Sequence, residues 1–201
     1  KADLTKEIEV QDLIGRANDK LGGSISCLVN NASIFEYDNI WTANRDSWDR
    51  HIESNLRAPF VLTQSFANQV SPSIRDEHGE PLSQGSIINL IDQRVKKLTP
   101  EFTSYTIAKM GLWALTKTSA QALAPNIRVN AILPGPIENK MTLQNLTAAQ
   151  ISTMQQASPY KKLVTVSEVI NVVKFLVSEA SEGVTGSFIK MDKGISIVKQ
   201  I

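Results

Sequence analysis

Tyr105 and Lys109 lie four residues apart in the stretch "SYTIAK", a spacing that places both side chains on one face of an α-helix. A free phenol has a pKa of about 10 and is a poor acid or base at neutral pH. A neighbouring ammonium group lowers that pKa and makes the pair competent for general acid–base chemistry. Two residues at this spacing also occur often by chance, so other residues must decide between a proton-transfer pair and an exposed helical surface.

Asp92 stands thirteen positions before Tyr105, at the end of the apolar run "SIINLI". A nearby carboxylate raises the pKa of a phenol, because it disfavours a second negative charge. The alternative is a structural role, in which Asp92 caps the end of a strand or pairs with Arg94 or Lys96. We favour the functional role, because ionisable groups with shifted pKa values concentrate at functional sites.

Short apolar runs alternate along the chain with longer segments of helical composition. The predicted strands are residues 25–33, 85–91, 127–136 and 186–198, and the predicted helices are residues 5–22, 45–70, 104–124, 146–158 and 165–180. This alternation predicts an α/β protein with a doubly wound parallel sheet between two layers of helices, a three-layer sandwich. Pro59 predicts a kink or a break in the second helix. We expect residues 1–201 to form a single domain.

Ligands bind at the carboxyl ends of the strands in such sheets. The polar or proline-rich segments at those ends are Asn30–Ser33, Asp92 and Pro134–Pro136. The sequence therefore predicts a ligand site formed by these segments, beside the helix that carries Tyr105 and Lys109.

The composition argues against several classes of function. The 201 residues are 42% hydrophobic and 20% charged, and 21 Lys and Arg against 20 Asp and Glu give a net charge of +1. No basic excess is available for nucleic acid, and no apolar run approaches the roughly 18 residues that span a bilayer. His51 and His78 have no further ligands at metal-binding spacing. The single Cys27 indicates a reducing compartment, so we expect a cytoplasmic protein without a metal.

Several motifs occur together and in a fixed order. "NNAS" follows the first predicted strand, "IESNLRAPF" supplies Asn55, a polar residue precedes Tyr105 by thirteen positions, and "RVNAILPGPI" follows the helix of Tyr105 and Lys109. Together they resemble the short-chain dehydrogenase/reductase family over nearly the whole chain, from Asp3 to about Ile195. The resemblance implies a Rossmann-like fold and an enzyme that transfers hydride at a nicotinamide cofactor, with proton delivery from the tyrosine.

The resemblance also implies roles for individual residues. Tyr105 matches the catalytic acid, Lys109 the lysine that holds the nicotinamide ribose and lowers the tyrosine pKa, and Asn55 the asparagine that holds a water in the proton relay. The other expected cofactor contacts are Asp3, Leu4, Asn30 and Ala32 for the adenosine, and Pro134, Gly135 and Ile137 for the nicotinamide carboxamide. We favour NADPH over NADH, although the family's residues that distinguish them match no part of this chain.

Two departures from the family pattern are visible. The glycine-rich loop T-G-x-x-x-G-x-G is not found, and the chain begins where the family's third strand ends. We therefore expect roughly 50 to 60 residues of the domain to precede it, judged by the two-halves layout of a Rossmann fold. The second departure is Asp92, which occupies the position of the family's usual serine, a residue that hydrogen-bonds the substrate carbonyl.

With Asp92 at that position, the chain resembles the pteridine reductase branch, and Ser33 and Phe35 in "NNASIF" agree. In that branch the serine contacts the substrate, and the phenylalanine stacks the pterin against the nicotinamide. The resemblance implies reduction of a pterin-like heterocycle, with Tyr105 as proton donor assisted by Lys109 and Asp92, in a homo-oligomer (tetramer or dimer). Three alternatives stay open: Phe35 packs in the core, the substrate is a carbonyl or alcohol, or the chain is a non-catalytic nucleotide-binding scaffold.

Overall fold

The computed structural model describes residues 1–197, so position 198 of the last predicted strand lies outside the described residues. The strands are β1 (Cys27–Asn30), β2 (Ile74–Arg75), β3 (Pro81–Leu82), β4 (Gly85–Leu90), β5 (Ile127–Pro134), β6 (Ile137–Glu138), β7 (Val164–Thr165) and β8 (Phe188–Met191). The helices are α1 (Glu7–Gln11), α2 (Leu13–Leu21), α3 (Arg45–Ile52), α4 (Ala58–Gln69), α5 (Thr103–Leu123), α6 (Lys140–Asn145), α7 (Ala148–Gln156) and α8 (Val166–Val177).

The central sheet has the strand order β1-β4-β5-β8, and all three of its pairings are parallel. Every residue of β4 and β5 is buried, which is typical of parallel strands covered on both faces. The predicted parallel α/β sheet is therefore confirmed. Strands β2 and β3 form a small antiparallel pair between α4 and β4.

Alternate side chains of the sheet pack against helices on its two faces. On one face Ile87 and Val129 join a buried cluster with Phe66 of α4, to which α1, α2 and α5 also contribute. On the other face Ile88 and Ile132 pack against α8. The sheet thus lies between two helical layers, as the sequence predicts. The carboxyl ends of β1, β4 and β5 lie side by side.

A π-helical segment, Glu53–Arg57, joins α3 to α4. Pro59 follows it in the first turn of α4. Because proline has no N–H group, Pro59 cannot bond the carbonyl of Asn55 as an ordinary helical residue would. The helical run is not broken at Pro59, and the disturbance takes the form of this change from α-helical to π-helical hydrogen bonding.

The prediction of one helix over residues 5–22 is wrong, because α1 and α2 are separate helices that meet at Asp12. Val10 and Ile14 supply their buried side chains, whereas Ile8 and Leu21 are 68% and 74% exposed.

The last strand is also shorter than predicted. It covers only Phe188–Met191, and the chain turns soon after it. Lys193 and Gly194 have φ angles of 55° and 82°, which no extended strand adopts. The ammonium of Lys193 pairs with the carboxylate of Glu168 at the start of α8, and that hydrogen bond lowers the pKa of Glu168 to about 2.

Candidate active site

Helix α5 brings Tyr105 and Lys109 to the carboxyl end of β4. The phenol of Tyr105 donates a hydrogen bond to Oδ2 of Asp92 over 3.0 Å, and Nζ of Lys109 donates to the carbonyl of Leu90 over 2.9 Å. Both side chains are buried, with exposed fractions of 5% and 3%. The predicted proton-transfer pair is therefore assembled inside the protein with the carboxylate in direct contact, rather than on an exposed helical surface.

Asp92 makes both kinds of contact that the sequence suggests. Its Oδ1 accepts a hydrogen bond from the backbone N–H of Arg94 over 2.7 Å, which caps a short 3₁₀ turn after β4. Its Oδ2 accepts from Tyr105. The structural and the functional interpretation of Asp92 are thus compatible, because one carboxylate oxygen serves each contact.

Burial controls the ionisation of these three groups. It raises the pKa of Asp92, and it lowers the pKa of Lys109 to about 8. Burial, followed by the charge of Asp92, raises the pKa of Tyr105 well above its ordinary value. We expected Lys109 to lower the tyrosine pKa, but its ammonium bonds to Leu90 and lies 5.6 Å from the ring centroid. At neutral pH Tyr105 is therefore a protonated phenol, the form that can donate a proton.

Asn55 holds the segment that follows β1. Its Oδ1 accepts from the N–H of Ile34 over 2.8 Å and from the hydroxyl of Ser33 over 3.2 Å, and its Nδ2 donates to the carbonyl of Ile34 over 2.8 Å. The Asn55 side chain lies in the π-helical segment and is fully buried. These contacts hold Ser33 and Phe35 beside the site. The sequence did not predict this supporting role for Asn55.

Phe35 is 43% exposed, so the alternative that it packs in the core is wrong. Its ring meets Tyr105 edge to face, with centroids 4.8 Å apart. Its face stacks on Phe102, with centroids 4.3 Å apart and an interplanar angle of 8°. The guanidinium of Arg94 lies 4.5 Å above the centroid of Phe102. A wall of aromatic and guanidinium groups therefore borders the Tyr105 phenol.

Asp38 caps the first turn of α5 from a distant segment of the chain. Its carbonyl accepts from the N–H of Phe102 over 2.6 Å. One carboxylate oxygen accepts from the N–H of Ser104 over 3.2 Å, and the other accepts from the Ser104 hydroxyl. The residue at the N-cap position, Phe102, has no side-chain acceptor and adopts a left-handed conformation with φ of 59°. Asp38 therefore fixes the end of the helix that carries Tyr105.

His51 is fully buried beside this cap. Its Nε2 accepts from the N–H of Glu36 over 3.2 Å, so the ring proton is on Nδ1, which lies 2.7 Å from the Ser104 hydroxyl. Burial lowers the pKa of His51, and both ring nitrogens already have partners. Within residues 1–197 no group of three or more potential metal ligands is found.

The remaining predicted residues occupy different parts of the sheet edge. Asn30 is buried and donates to the side chain of Asn89 over 2.8 Å, whereas Ala32 is exposed. After β5, the N–H of Gly135 donates to the carbonyl of Met191 over 2.9 Å. A Cβ atom at Gly135 would lie 2.9 Å from Cα of Asp192, which explains the need for glycine. Two further predicted residues belong to this turn. Pro134 of β5 pairs with Met191 of β8, and Ile137 of β6 pairs with Val164 of β7.

Asp3 and Leu4 lie apart from this group. The carboxylate of Asp3 accepts from the backbone and hydroxyl of Thr5, and Leu4 packs against the buried cluster that includes Val10. Neither of the two makes a hydrogen bond to Tyr105, Lys109 or Asp92 in the part of the chain that the structure describes.

Four groups contribute contacts at the site that the sequence did not indicate: Asp38, Phe102, Ser104 and the guanidinium of Arg94. Phe102 and Ser104 lie three positions and one position before Tyr105 in the sequence, so their proximity to the site was a usable signal. Asp38 offered no such signal, because it acts on a helix that begins 65 positions later.

A parallel sheet with helices on both faces and a Tyr–Lys pair at a strand end define a class of nicotinamide-dependent oxidoreductases. Residues 1–196 match the family model described as enoyl-(acyl carrier protein) reductase. The chain belongs to the short-chain dehydrogenase/reductase family and is an NAD(P)-dependent oxidoreductase.

Relatives in this family cover most of the chain. It is 34% identical over 198 residues to a probable galactose dehydrogenase of Rhizobium meliloti, which covers 97% of this chain and 73% of that protein. It is 32% identical over 195 residues to a 3-oxoacyl-[acyl-carrier-protein] reductase of Thermotoga maritima, with coverage of 96% and 75%.

Two solved structures are similar to the whole chain. Both are FolM alternative dihydrofolate reductase 1 in complex with NADP, from Brucella canis and Brucella suis, each 34% identical in sequence. The TM-scores are 0.83 and 0.85, and all of this chain aligns with 73% and 74% of those chains.

None of the helices in residues 1–197 is both long and apolar enough to span a bilayer.

Proposed function

We propose that this oxidoreductase reduces a pterin-like nitrogen heterocycle, with NADPH as the hydride donor. The observation that carries the proposal is the hydrogen bond from the Tyr105 phenol to Asp92, 3.0 Å long, at the position where the family usually has serine. The two solved relatives described as alternative dihydrofolate reductases support the same class of substrate.

The chemistry of the site suits a ring nitrogen. A serine hydroxyl donates to a carbonyl oxygen, whereas a carboxylate accepts from ring N–H and amino groups of a heterocycle. Because burial raises the pKa of Asp92, this carboxyl also holds a proton more readily than an exposed aspartate. Tyr105 supplies the proton, and Asp92 orients the phenol and carries the proton towards a ring nitrogen.

The exposed ring of Phe35 gives a flat substrate a surface on which to stack. Ser33 lies beside it, held through its hydroxyl by Asn55 over 3.2 Å. We assign both residues to substrate binding. Asn55 acts by positioning this segment, in addition to the proton relay that the family resemblance implies.

We assign the nicotinamide half of the cofactor to the ends of β4 and β5. Lys109 uses one N–H on Leu90, and an ammonium has three donors, so further donors remain for ribose hydroxyls. When bound, the cofactor supplies the hydride. We assign the nicotinamide end to Tyr105, Lys109, Pro134, Gly135 and Ile137, and the adenosine end to Asp3, Leu4, Asn30 and Ala32. The NADP complexes of the solved relatives support NADPH as the cofactor. We further propose that the chain forms a single domain and assembles as a homo-oligomer.

A second candidate is reduction of a carbonyl, with Asp92 as a local variant. The observation that favours it is the similarity to proteins described as a galactose dehydrogenase and a 3-oxoacyl-[acyl-carrier-protein] reductase. A non-catalytic scaffold would have no use for a buried Tyr105–Lys109 pair in contact with a carboxylate.

The test compares Asp92→Ser with the unaltered protein on dihydrobiopterin and on a panel of ketones, with NADPH. We expect the variant to lose pterin reduction to a much greater extent than ketone reduction, and Tyr105→Phe to lose both. Asp46→Ser, which alters an exposed acid of α3, is the control and keeps both activities. Full activity of Asp92→Ser on every pterin would refute the pterin assignment, and cofactor binding without any turnover would favour the scaffold.

A further inference from the structure

Arg94 holds an unpaired guanidinium at the edge of the candidate site. The group lies 4.5 Å above the ring of Phe102 and 5.8 Å from the centroid of Phe35. Its Nη1 donates to the hydroxyl of Thr99 over 2.9 Å, which anchors the side chain. Within residues 1–197 none of the ion pairs includes Arg94. One of its five N–H donors thus has a side-chain partner. The nearby carboxylate of Asp92 acts on Arg94 through its charge without forming an ion pair with the guanidinium.

The other charges at the site already have partners. Asp92 contacts Arg94 through the backbone N–H, and its Oδ2 is occupied by Tyr105. The charge of Lys109 lies against the Leu90 carbonyl. On the same side of the site, Glu36 pairs with Arg50 over 2.5 Å. Arg94 is therefore the cation that this wall of the site leaves available to a ligand.

The neighbouring lysines point to other parts of the protein. Nζ of Lys96 lies 5.2 Å from the ring centroid of Trp113. Nζ of Lys97 donates to the carbonyl of Ile195 over 3.3 Å. The position of Arg94 over the aromatic wall is thus specific to this residue within the cationic run that follows Asp92.

We propose that Arg94 is a specificity-determining residue that binds a carboxylate on the substrate, so that the preferred substrate is a flat heterocycle with an acidic tail. The inference rests on the proposed function, because it takes the ring to be held at Tyr105, Asp92 and Phe35. Phe35 stacks on Phe102, and Phe102 contacts the guanidinium of Arg94. A substrate tail that extends from the ring along these side chains therefore reaches the guanidinium. A guanidinium fork matches a carboxylate in a bidentate geometry.

The test uses a matched pair of ligands, folic acid and its dimethyl ester, which share one skeleton and differ in the charge of the tail. Binding of each to the protein saturated with NADP⁺ is measured by isothermal titration calorimetry. We expect folic acid to bind about tenfold more tightly than the ester, as a charge-assisted hydrogen bond at a partly exposed site allows. Arg94→Met removes this preference, and Arg94→Lys, which keeps the charge without the fork, retains only part of it.

Lys96→Met is the control, because it removes the neighbouring cation that faces Trp113, and it leaves the preference unchanged. Equal binding of the two ligands to the unaltered protein, or an unchanged preference in Arg94→Met, would overturn the inference. Dihydrobiopterin has no carboxylate, so its turnover tests the proposed function separately. Turnover of dihydrobiopterin with no preference for folic acid would reject the role of Arg94 alone. A preference for folic acid with no turnover of either dihydrobiopterin or dihydrofolate would reject the proposed reduction of a pterin-like ring.

Discussion

Lys109 makes the stability of this protein depend on pH in a way that one substitution isolates. Burial lowers its pKa from 10.5 to about 8. Between these two values the unfolded chain binds one proton more than the folded protein at this residue, so stability rises with pH over that interval. One pKa unit corresponds to about 1.4 kcal/mol, which gives a total of about 3 kcal/mol. Below pH 8 Lys109 is charged in both states, and the full burial penalty is present.

The substitution Lys109→Met removes the titrating group. The quantity to measure is the difference in free energy of unfolding between the unaltered protein and this variant. We expect the free energy of unfolding of the unaltered protein, minus that of the variant, to rise by about 1.4 kcal/mol per pH unit between pH 8 and 10.5. Effects that are shared by both proteins cancel, and the lost hydrogen bond to Leu90 changes the offset without changing the slope. Urea denaturation at pH 7, 8, 9 and 10 measures it.

The control for this experiment is Lys117→Met, on the same helix. Lys117 is exposed, and its Nζ lies 4.5 Å from the ring centroid of Trp113. The corresponding difference for this variant stays flat over the same pH range. A flat result for Lys109→Met as well would show that the ammonium is hydrated in the folded protein, and would refute the argument from burial.

Two further predictions concern stability. Asp38→Ala removes the distant cap of α5 and leaves buried N–H and O–H groups without an acceptor. We expect the free energy of unfolding, measured by urea denaturation, to fall by about 2 kcal/mol. Asp19→Ala, at an exposed position of α2, is the control, and an equal small effect of both substitutions would contradict the capping role. Gly135→Ala places a Cβ 2.9 Å from the backbone of Asp192, and we expect a loss of about 2 kcal/mol. The control Gly15→Ala, with nothing within 4 Å of the added Cβ, gains roughly 1 kcal/mol. A gain of stability in Gly135→Ala as well would show that the turn can move.

The central sheet is predictable from sequence because buried parallel strands need continuous apolar runs. "GSIINL" and "IRVNAILP" are such runs, and both form fully buried strands. The placement of Tyr105 beside Lys109 is predictable for a similar reason, since helical periodicity is a local property. The disturbed helical hydrogen bonding before Pro59 is predictable because proline lacks an N–H group.

Other features depend on contacts between distant parts of the chain, and no local pattern encodes them. The Asp38 carboxylate bonds to Ser104, 66 positions away. The sequence offered two opposite influences on the pKa of Tyr105, from Lys109 and from Asp92, and the burial that raises this pKa depends on the tertiary fold. The role of Asn55 as a support for Ile34 likewise joins two segments 21 positions apart. The position of Arg94 on Phe102 depends on the tertiary fold as well.

The cap from Asp38 supplies a natural reporter of opening at the site. The amide protons of Phe102 and Ser104 are donated to Asp38, so their exchange with solvent requires the segment of Asp38 to separate from α5. The rate of that exchange gives the free energy of separation in the absence of any substrate. Because Phe35 lies on the same short segment, this free energy also measures how firmly the protein holds the aromatic wall against Tyr105 before a ligand arrives.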